Sequence, residues 1–265
     1  MASEIKQGTL ELVNHLPILQ VITPMLIAPI LVVLNNKTLS WLLSFVGTLA
    51  CLFISILLLQ AVSDGSILTY YLGGWAPPIG IEYRIDAANA ILLFLISIIS
   101  AIVLIFSYSS LHAEIPEEKH TLFYSCFLLC LTGLLGVVAT ADIFNVFVFL
   151  EISSLSTYVL VAQGAYLDRR ALSASFNYLI MGTIGATFFV IGIGYIYMAT
   201  GSLNMMDIAE RVSQLGDNRT IQAGFAFIVV GMGLKIAMVP LHVWLPNAYT
   251  FAPTVVTCFL AATAT

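Results

Sequence analysis

The sequence predicts an all-α fold, a polytopic transmembrane helical bundle, from three observations. Of its 265 residues, 60% are hydrophobic and only 9% are charged, too little charge to cover the surface of a soluble domain of this size. The apolar residues gather into stretches long enough to cross a bilayer, which takes about 20 helical residues. Runs such as "LISIISAIVLIF" and "FAFIVVGMG" are apolar on every face, whereas a membrane barrel is written in short segments that alternate apolar and polar residues.

Seven such stretches run 17–34, 39–62, 87–109, 121–140, 143–164, 171–200 and 222–245, and an eighth opens near Pro253. The N-terminal "MASEIKQGTLELVNHLP" carries Glu4 and Glu11 and lacks the basic start and short apolar core of a cleaved signal, so the first span is expected to remain as an anchor. At the other end, "TVVTCFLAATAT" enters an apolar run of about 13 residues, short of a full span. The chain is therefore expected to be the N-terminal part of a longer protein.

The connections are also legible. In "SDGSILTYYLGGWAPPIGIEYRID" the turns fall at Gly73, Gly74, Pro77 and Pro78, and Tyr70, Tyr71 and Trp75 suit a membrane interface. The apolar spacing of "NMMDIAERVSQL" is that of a short amphipathic helix lying on the surface. Asp86 and Asp142 stand where the third and fifth helices begin and are read as N-caps. Gly182, Gly185, Gly192 and Gly194 in the sixth span allow close helix contact. The sequons at Asn36 and Asn218 are read as chance.

Several function classes are excluded. A net charge of −5, with nine basic residues scattered singly or in one pair, makes no nucleic-acid surface. Cys51, Cys126, Cys130 and Cys258 all fall in predicted helices and are read as small packing groups, not as a metal site. The sequence shows no phosphate loop, haem-ligand pair, iron–sulfur cysteine set or catalytic triad, so no cofactor is expected and electron transfer is not expected in this chain. Lys37, Lys119, Arg169 and Arg170 fall on one side and Lys6, Arg84, Arg211 and Arg219 on the other. The tie is tipped by the Arg169–Arg170 pair in a very short loop, which favours a cytoplasmic placement for that loop and an N-terminus outside.

The candidate chemistry lies in two charges placed well inside predicted spans, Glu151 and Lys235. A charge at the bilayer centre costs about 2.5–3.5 kcal/mol on insertion scales, so it faces protein or water and marks an ion or proton path. The competing reading is a structural ion pair that fixes helix packing, and such pairs contribute little net stability. In "FVFLEISSLSTYVLVA", Ser154 and Tyr158 follow Glu151 by three and seven positions, on one helix face. Ser153, Ser156 and Thr157 widen the stripe, although hydroxyls in membrane helices also bond their own backbone.

Around Lys235 the sequence reads "GMGLKIAMVPLHVWLPNAY". Pro240 has no amide hydrogen and crowds the carbonyl of Ile236, so the helix is expected to break near there. His242, seven positions after Lys235, shares its face if helical phase survives the proline, and its ordinary pKa of about 6.5 suits a proton relay. Trp244 is expected to mark the membrane surface. Desolvation weakens a lysine's hold on its proton and a nearby carboxylate restores it, so a Glu–Lys pair that closes and opens is a proton switch. Sequence alone does not show that the two groups meet.

Three segments, "DIFNVFVFLEISSLSTYVLVA", "YLIMGTIGATFFVIGIGYIYMATGSLNM" and "GLKIAMVPLHVWLPNAYTFAPTVVTCFLAATAT", resemble the antiporter-like membrane subunits shared by respiratory complex I, membrane-bound hydrogenases and Mrp-type cation/proton antiporters. The resemblance implies that the chain is the N-terminal half of a fold of about fourteen helices with two inverted five-helix repeats and a broken seventh helix. It implies a division at residue 120, with three helices in 1–120 and the first repeat in 121–265. It also implies proton-handling roles for Glu151, Lys235 and His242, a basic residue in the eighth helix beyond this chain, and other membrane subunits as partners in a bacterial-type inner membrane. "FVFLEISSLSTYVL" and "LPNAYTFAPTVVT" look most like D-type Mrp subunits, which implies exchange of protons for sodium or potassium. The alternative is the same module in a complex driven by oxidation of NADH, hydrogen or a related donor.

Overall fold

The computed structural model describes residues 2–263, with side chains over residues 14–263. The side chains of Glu4, Lys6 and Glu11 and the last two residues of the C-terminal apolar run lie outside the described residues. The chain forms α1 (Ala2–Leu34), α2 (Lys37–Ala61), a two-stranded hairpin of β1 (Leu68–Tyr71) and β2 (Glu82–Ile85), then α3 (Ala87–Glu114), α4 (His120–Ala139), α5 (Ile143–Ala162) and α6 (Arg170–Thr200). There follow α7 (Met205–Leu215), α8 (Arg219–Lys235), α9 (Trp244–Phe251) and α10 (Thr254–Thr263).

Six helices among the described residues, α1 to α6, are long and apolar enough to cross a membrane. The expected seventh span, 222–245, is not a single helix. It begins as α8 and stops at Lys235, and the chain resumes helix only at Trp244.

Helix α4 is the centre of the bundle, with 72% of its apolar window buried, and it packs against α1, α2, α3 and α5. Its glycines set the distance to α5. A Cβ on Gly133 would lie 2.6 Å from the carbonyl oxygen of Phe149 and from the backbone nitrogen of Ser153, so only glycine permits this approach. Gly185 and Gly192 of α6 meet Gly231 and Gly224 of α8 in the same way. Gly182 faces Tyr158, and Gly194 faces open space and joins no contact.

Helix α1 carries Pro17, Pro24 and Pro29 without ending. The carbonyl of Gln20, freed by Pro24, accepts from the thiol of Cys51 at 3.8 Å. Cys51, Cys126 and Cys130 are buried as expected, whereas Cys258 on α10 is exposed, because its position on that short helix turns away from the core.

The long connections hold one element more than the turn signals suggest. The segment between α2 and α3 pairs β1 with β2 antiparallel, from Leu68 opposite Ile85 to Tyr71 opposite Glu82; its aromatic and β-branched residues suit a strand. The start of α5 is stitched to this hairpin, where the Ala141 amide donates to the Glu82 carbonyl, and to the segment that opens α7, where Met205 donates to Ala141 and Ile143 to Leu203. The buried carboxylate of Glu82 accepts from the side-chain amide of Asn204 at 2.8 Å.

Capping follows the sequence. Asp86 and Asp142 accept from the amides of Asn89 and Asn145, and the sequon residues Asn36 and Asn218 cap α2 and α8. Helix α7 has no buried residue, as expected of an amphipathic helix on the surface. At the opposite end of the bundle, Glu114 accepts from the Thr254 amide at 2.8 Å and so caps α10.

Candidate functional site

Glu151 is the ninth residue of α5, about 12 Å along the axis from its first turn, inside a hydrocarbon layer of about 30 Å. Lys235 is the last residue of α8. The two are 84 positions apart in sequence, and the structure brings them together. The Lys235 Nζ donates to Glu151 Oε1 at 3.1 Å and also to the Ser154 hydroxyl, one turn on along α5. The side chains are 11% and 22% exposed, so the pair is shielded but open at one edge.

The hydroxyls around Glu151 divide. Ser153, Ser156 and Thr157 donate to carbonyls of their own helix, the structural use for such groups. Ser154 instead serves Lys235. The hydroxyl of Tyr158 is buried with no hydrogen-bond partner among the described residues.

The interruption after Lys235 has a defined geometry. The amide of Met238 donates to the Gly233 carbonyl and that of Ala237 to Leu234, which is the paired termination that commonly closes helices. It places Ala237 at φ +54°, in the left-handed region where glycine is the usual occupant. The helix thus ends five residues before Pro240, not at the proline itself. Pro240 keeps the segment from resuming, since it has no amide to donate.

Two expectations are corrected here. His242 does not share the face of Lys235, because residues 236–243 are not helical and the phase is lost. Its Nδ1 is buried without a hydrogen-bond partner among the described residues, and neither charge of the pair hydrogen-bonds to it. Trp244 does not mark the membrane surface. It is 5% exposed, its ring stacks on Tyr178 with centroids 4.0 Å apart and planes 2° from parallel, and its Nε1 donates to the Leu234 carbonyl at 3.0 Å. Tyr178 in turn meets Tyr158 edge to face at 4.7 Å. Indole at the head of an apolar helix reads as an interface anchor from sequence; the tertiary partner Tyr178, on a different helix, is what draws it inward.

Sequence reasoning passed over Tyr178 and Trp244 as parts of the site, and Glu82 as a buried group. A signal was available for the first two: two large aromatics in spans adjoining the charged helix.

Comparison with known proteins carries the same outline. The family described as "NADH:quinone oxidoreductase/Mrp antiporter, TM" matches residues 140–265, the region that holds α5 to α10. The chain is 41% identical over 254 residues to NADH-quinone oxidoreductase subunit N of Desulforudis audaxviator (strain MP104C), covering 95% of this chain and 50% of the relative. It is 30% identical over 250 residues to the D-type Na(+)/H(+) antiporter subunit of Bacillus subtilis (strain 168), covering 94% and 50%. Among solved structures, a chain of the membrane-bound sulfane sulfur reductase, an archaeal respiratory membrane complex, superposes with a TM-score of 0.84 at 31% identity, over 96% of this chain and 50% of that one. The chain spans about half the length of the relatives it matches.

Proposed function

We propose, from the premise that this chain belongs with the antiporter-like membrane subunits of the Mrp and complex I superfamily, that it carries protons through the Glu151–Lys235 pair. The observation behind the proposal is the 3.1 Å contact between two charges that sequence places far apart and deep in the bilayer. With Glu151 close, Lys235 keeps its proton; as the pair opens, the desolvated ammonium releases it. Ser154 offers the lysine a second acceptor while the pair opens. The free Nδ1 of His242 suits a later relay position, reached by rearrangement of the segment 236–243.

The partners in this reading are further membrane subunits, the location is a bacterial-type inner membrane with the N-terminus outside, and residues 121–265 are the first of two repeats. Two sources of energy compete. The sequence pattern around Glu151 favours a D-type Mrp role, exchanging protons for sodium or potassium. The identities favour a redox-driven complex, at 41% with a quinone oxidoreductase subunit against 30% with a D-type antiporter subunit, and we infer that reading.

The test uses the complete protein in its native complex, reconstituted in vesicles with a pH-sensitive dye. Glu151→Gln and Lys235→Ala are expected to lower proton transport at least about tenfold while the complex still assembles. Wild-type rates in both variants would remove the proposal. Mass spectrometry of the tagged complex separates the energy sources, since flavin or iron–sulfur subunits accompany a redox pump and small membrane subunits alone accompany an antiporter.

A further inference from the structure

We propose that Trp244 is a positioning residue for the Glu151–Lys235 pair, holding the broken end of α8 so that the lysine meets its two acceptors on α5; this rests on the proton-carrying reading above. The geometry closes a circuit. Tyr158 lies on the helix of Glu151, seven residues on. It meets Tyr178 of α6 edge to face, Tyr178 stacks flat on Trp244, and the indole N–H of Trp244 donates to the carbonyl of Leu234, the residue before Lys235. One end of the circuit is anchored by Ser175 of α6, whose hydroxyl donates to the Tyr158 carbonyl at 2.7 Å. The other ends at the residue whose placement decides the ion pair.

A helix that stops inside the membrane has loose carbonyls at its last turn, and no water is at hand to take them. The Leu234 carbonyl otherwise meets the amides of Ile236 and of Ala237, the latter at 3.3 Å. The indole contact, at 3.0 Å, is shorter than that to Ala237. Stacking on Tyr178 fixes the plane of the indole and therefore the direction of its single N–H. All three rings are nine-tenths buried, so the arrangement is shielded from the lipid.

The tie also explains how α5 and the break stay in register. Lys235 has a flexible four-carbon stem, and stem freedom alone does not hold an ammonium on two acceptors. Fixing the backbone one residue away does. If the N–H is lost, the end of α8 is free to shift by a fraction of a turn, and misplacement of about 1 Å at a reacting group lowers rates by about a hundredfold.

The experiment uses the complete protein in its assembled complex. Trp244→Phe keeps an aromatic ring for Tyr178 and removes the donor; benzothienylalanine at position 244 keeps the indole outline and replaces N–H by sulfur, so it decides the matter where phenylalanine disturbs assembly. Trp75→Phe, at an exposed indole in the segment between β1 and β2, serves as the comparison. The expected result is normal assembly, a transport rate lowered about ten- to a hundredfold and a displaced pH profile in the two donor-free variants, with Trp75→Phe close to wild type. A purely structural tryptophan would lower the amount of complex without moving the pH profile. Wild-type rate and pH profile in the donor-free variants, while Glu151→Gln abolishes transport, overturn the positioning role alone. Transport surviving in Glu151→Gln overturns the proton-carrying reading and the positioning role with it.

Discussion

Glu151 rides on an uninterrupted 20-residue helix, whereas Lys235 ends a 17-residue helix that stops inside the seventh apolar stretch. Helix α5 is approached at Phe149 and Ser153 by the glycines of α4, capped by Asp142 at one end, and stitched to the hairpin through Ala141 and to the loop before α7 through Ile143. The end of α8 is held by a helix-terminating turn at Ala237 and by the side chain of Trp244. The contrast places the carboxylate on a continuous helix, the fixed side of the pair, and the ammonium at the end of a broken one, the adjustable side. In the proposed proton-carrying role, opening of the pair would fall to the broken span.

The largest expected effect strikes the fixed side. In Gly133→Ala the new methyl meets the Phe149 carbonyl and the Ser153 backbone, and backbone cannot turn aside as a side chain can. Helices α4 and α5 must separate, and the assembled complex is expected to fall below detection on a native gel. Normal yield would show that α5 is less firmly held than the contact implies.

The next prediction concerns the pair itself. Lys235→Met leaves a shielded carboxylate without its partner, which costs about 3–5 kcal/mol, so the thermal midpoint of the complex drops. Adding Glu151→Gln is expected to restore the midpoint but not transport. Recovery of both would make the pair structural. Recovery of neither would mean that the charges hold the bundle together in some way that the shared contact does not describe.

On the adjustable side, Ala237→Gly relieves a left-handed backbone that costs an L-residue about 1–2 kcal/mol. The end of α8 is expected to gain about 1 kcal/mol, seen as a higher thermal midpoint and slower amide exchange at Met238. If exchange quickens instead, the turn is not the element that ends the helix.

The smallest effect belongs to the cap of α5. Burial raises the Asp142 carboxyl above its ordinary value, against two backbone hydrogen bonds that lower it. A raised carboxyl binds its proton more tightly folded than unfolded, so the fold gains stability as pH falls through the raised value and loses that gain above it. Asp142→Asn retains a capping side chain and removes the charge. Its expected signature is a stability change of a few tenths of a kcal/mol with a flatter dependence on pH in the acid range, measured by thermal melts from about pH 4 to 7.

Much of the fold was readable without tertiary information because membrane helices announce themselves by length and by the absence of charge. The caps at Asp86 and Asp142, the surface helix around Arg211 and the break before Pro240 all follow from chemistry within a few residues. The site was half readable. Glu151 and Lys235 stood out because each is expensive where it sits, but the choice among five nearby hydroxyls was not decidable. Ser154 differs from Ser153 only in facing α8, and facing is a property of the packed bundle. The face of His242 hung on helical phase, which is lost across the non-helical segment 236–243, and the direction of Trp244 depended on Tyr178, a partner on another helix.

The sequence by itself determined the membrane solvent, the helices, their caps and the two costly charges, since all of these depend on local composition and on the bilayer. Only the tertiary structure decided that Lys235 meets Glu151 and Ser154, that Trp244 turns inward onto Tyr178, and that Leu234 is tied across the break. Those outcomes depend on the close approach of α4 to α5 and of α6 to α8 through glycine, and on contacts between residues tens of positions apart, which no local pattern records.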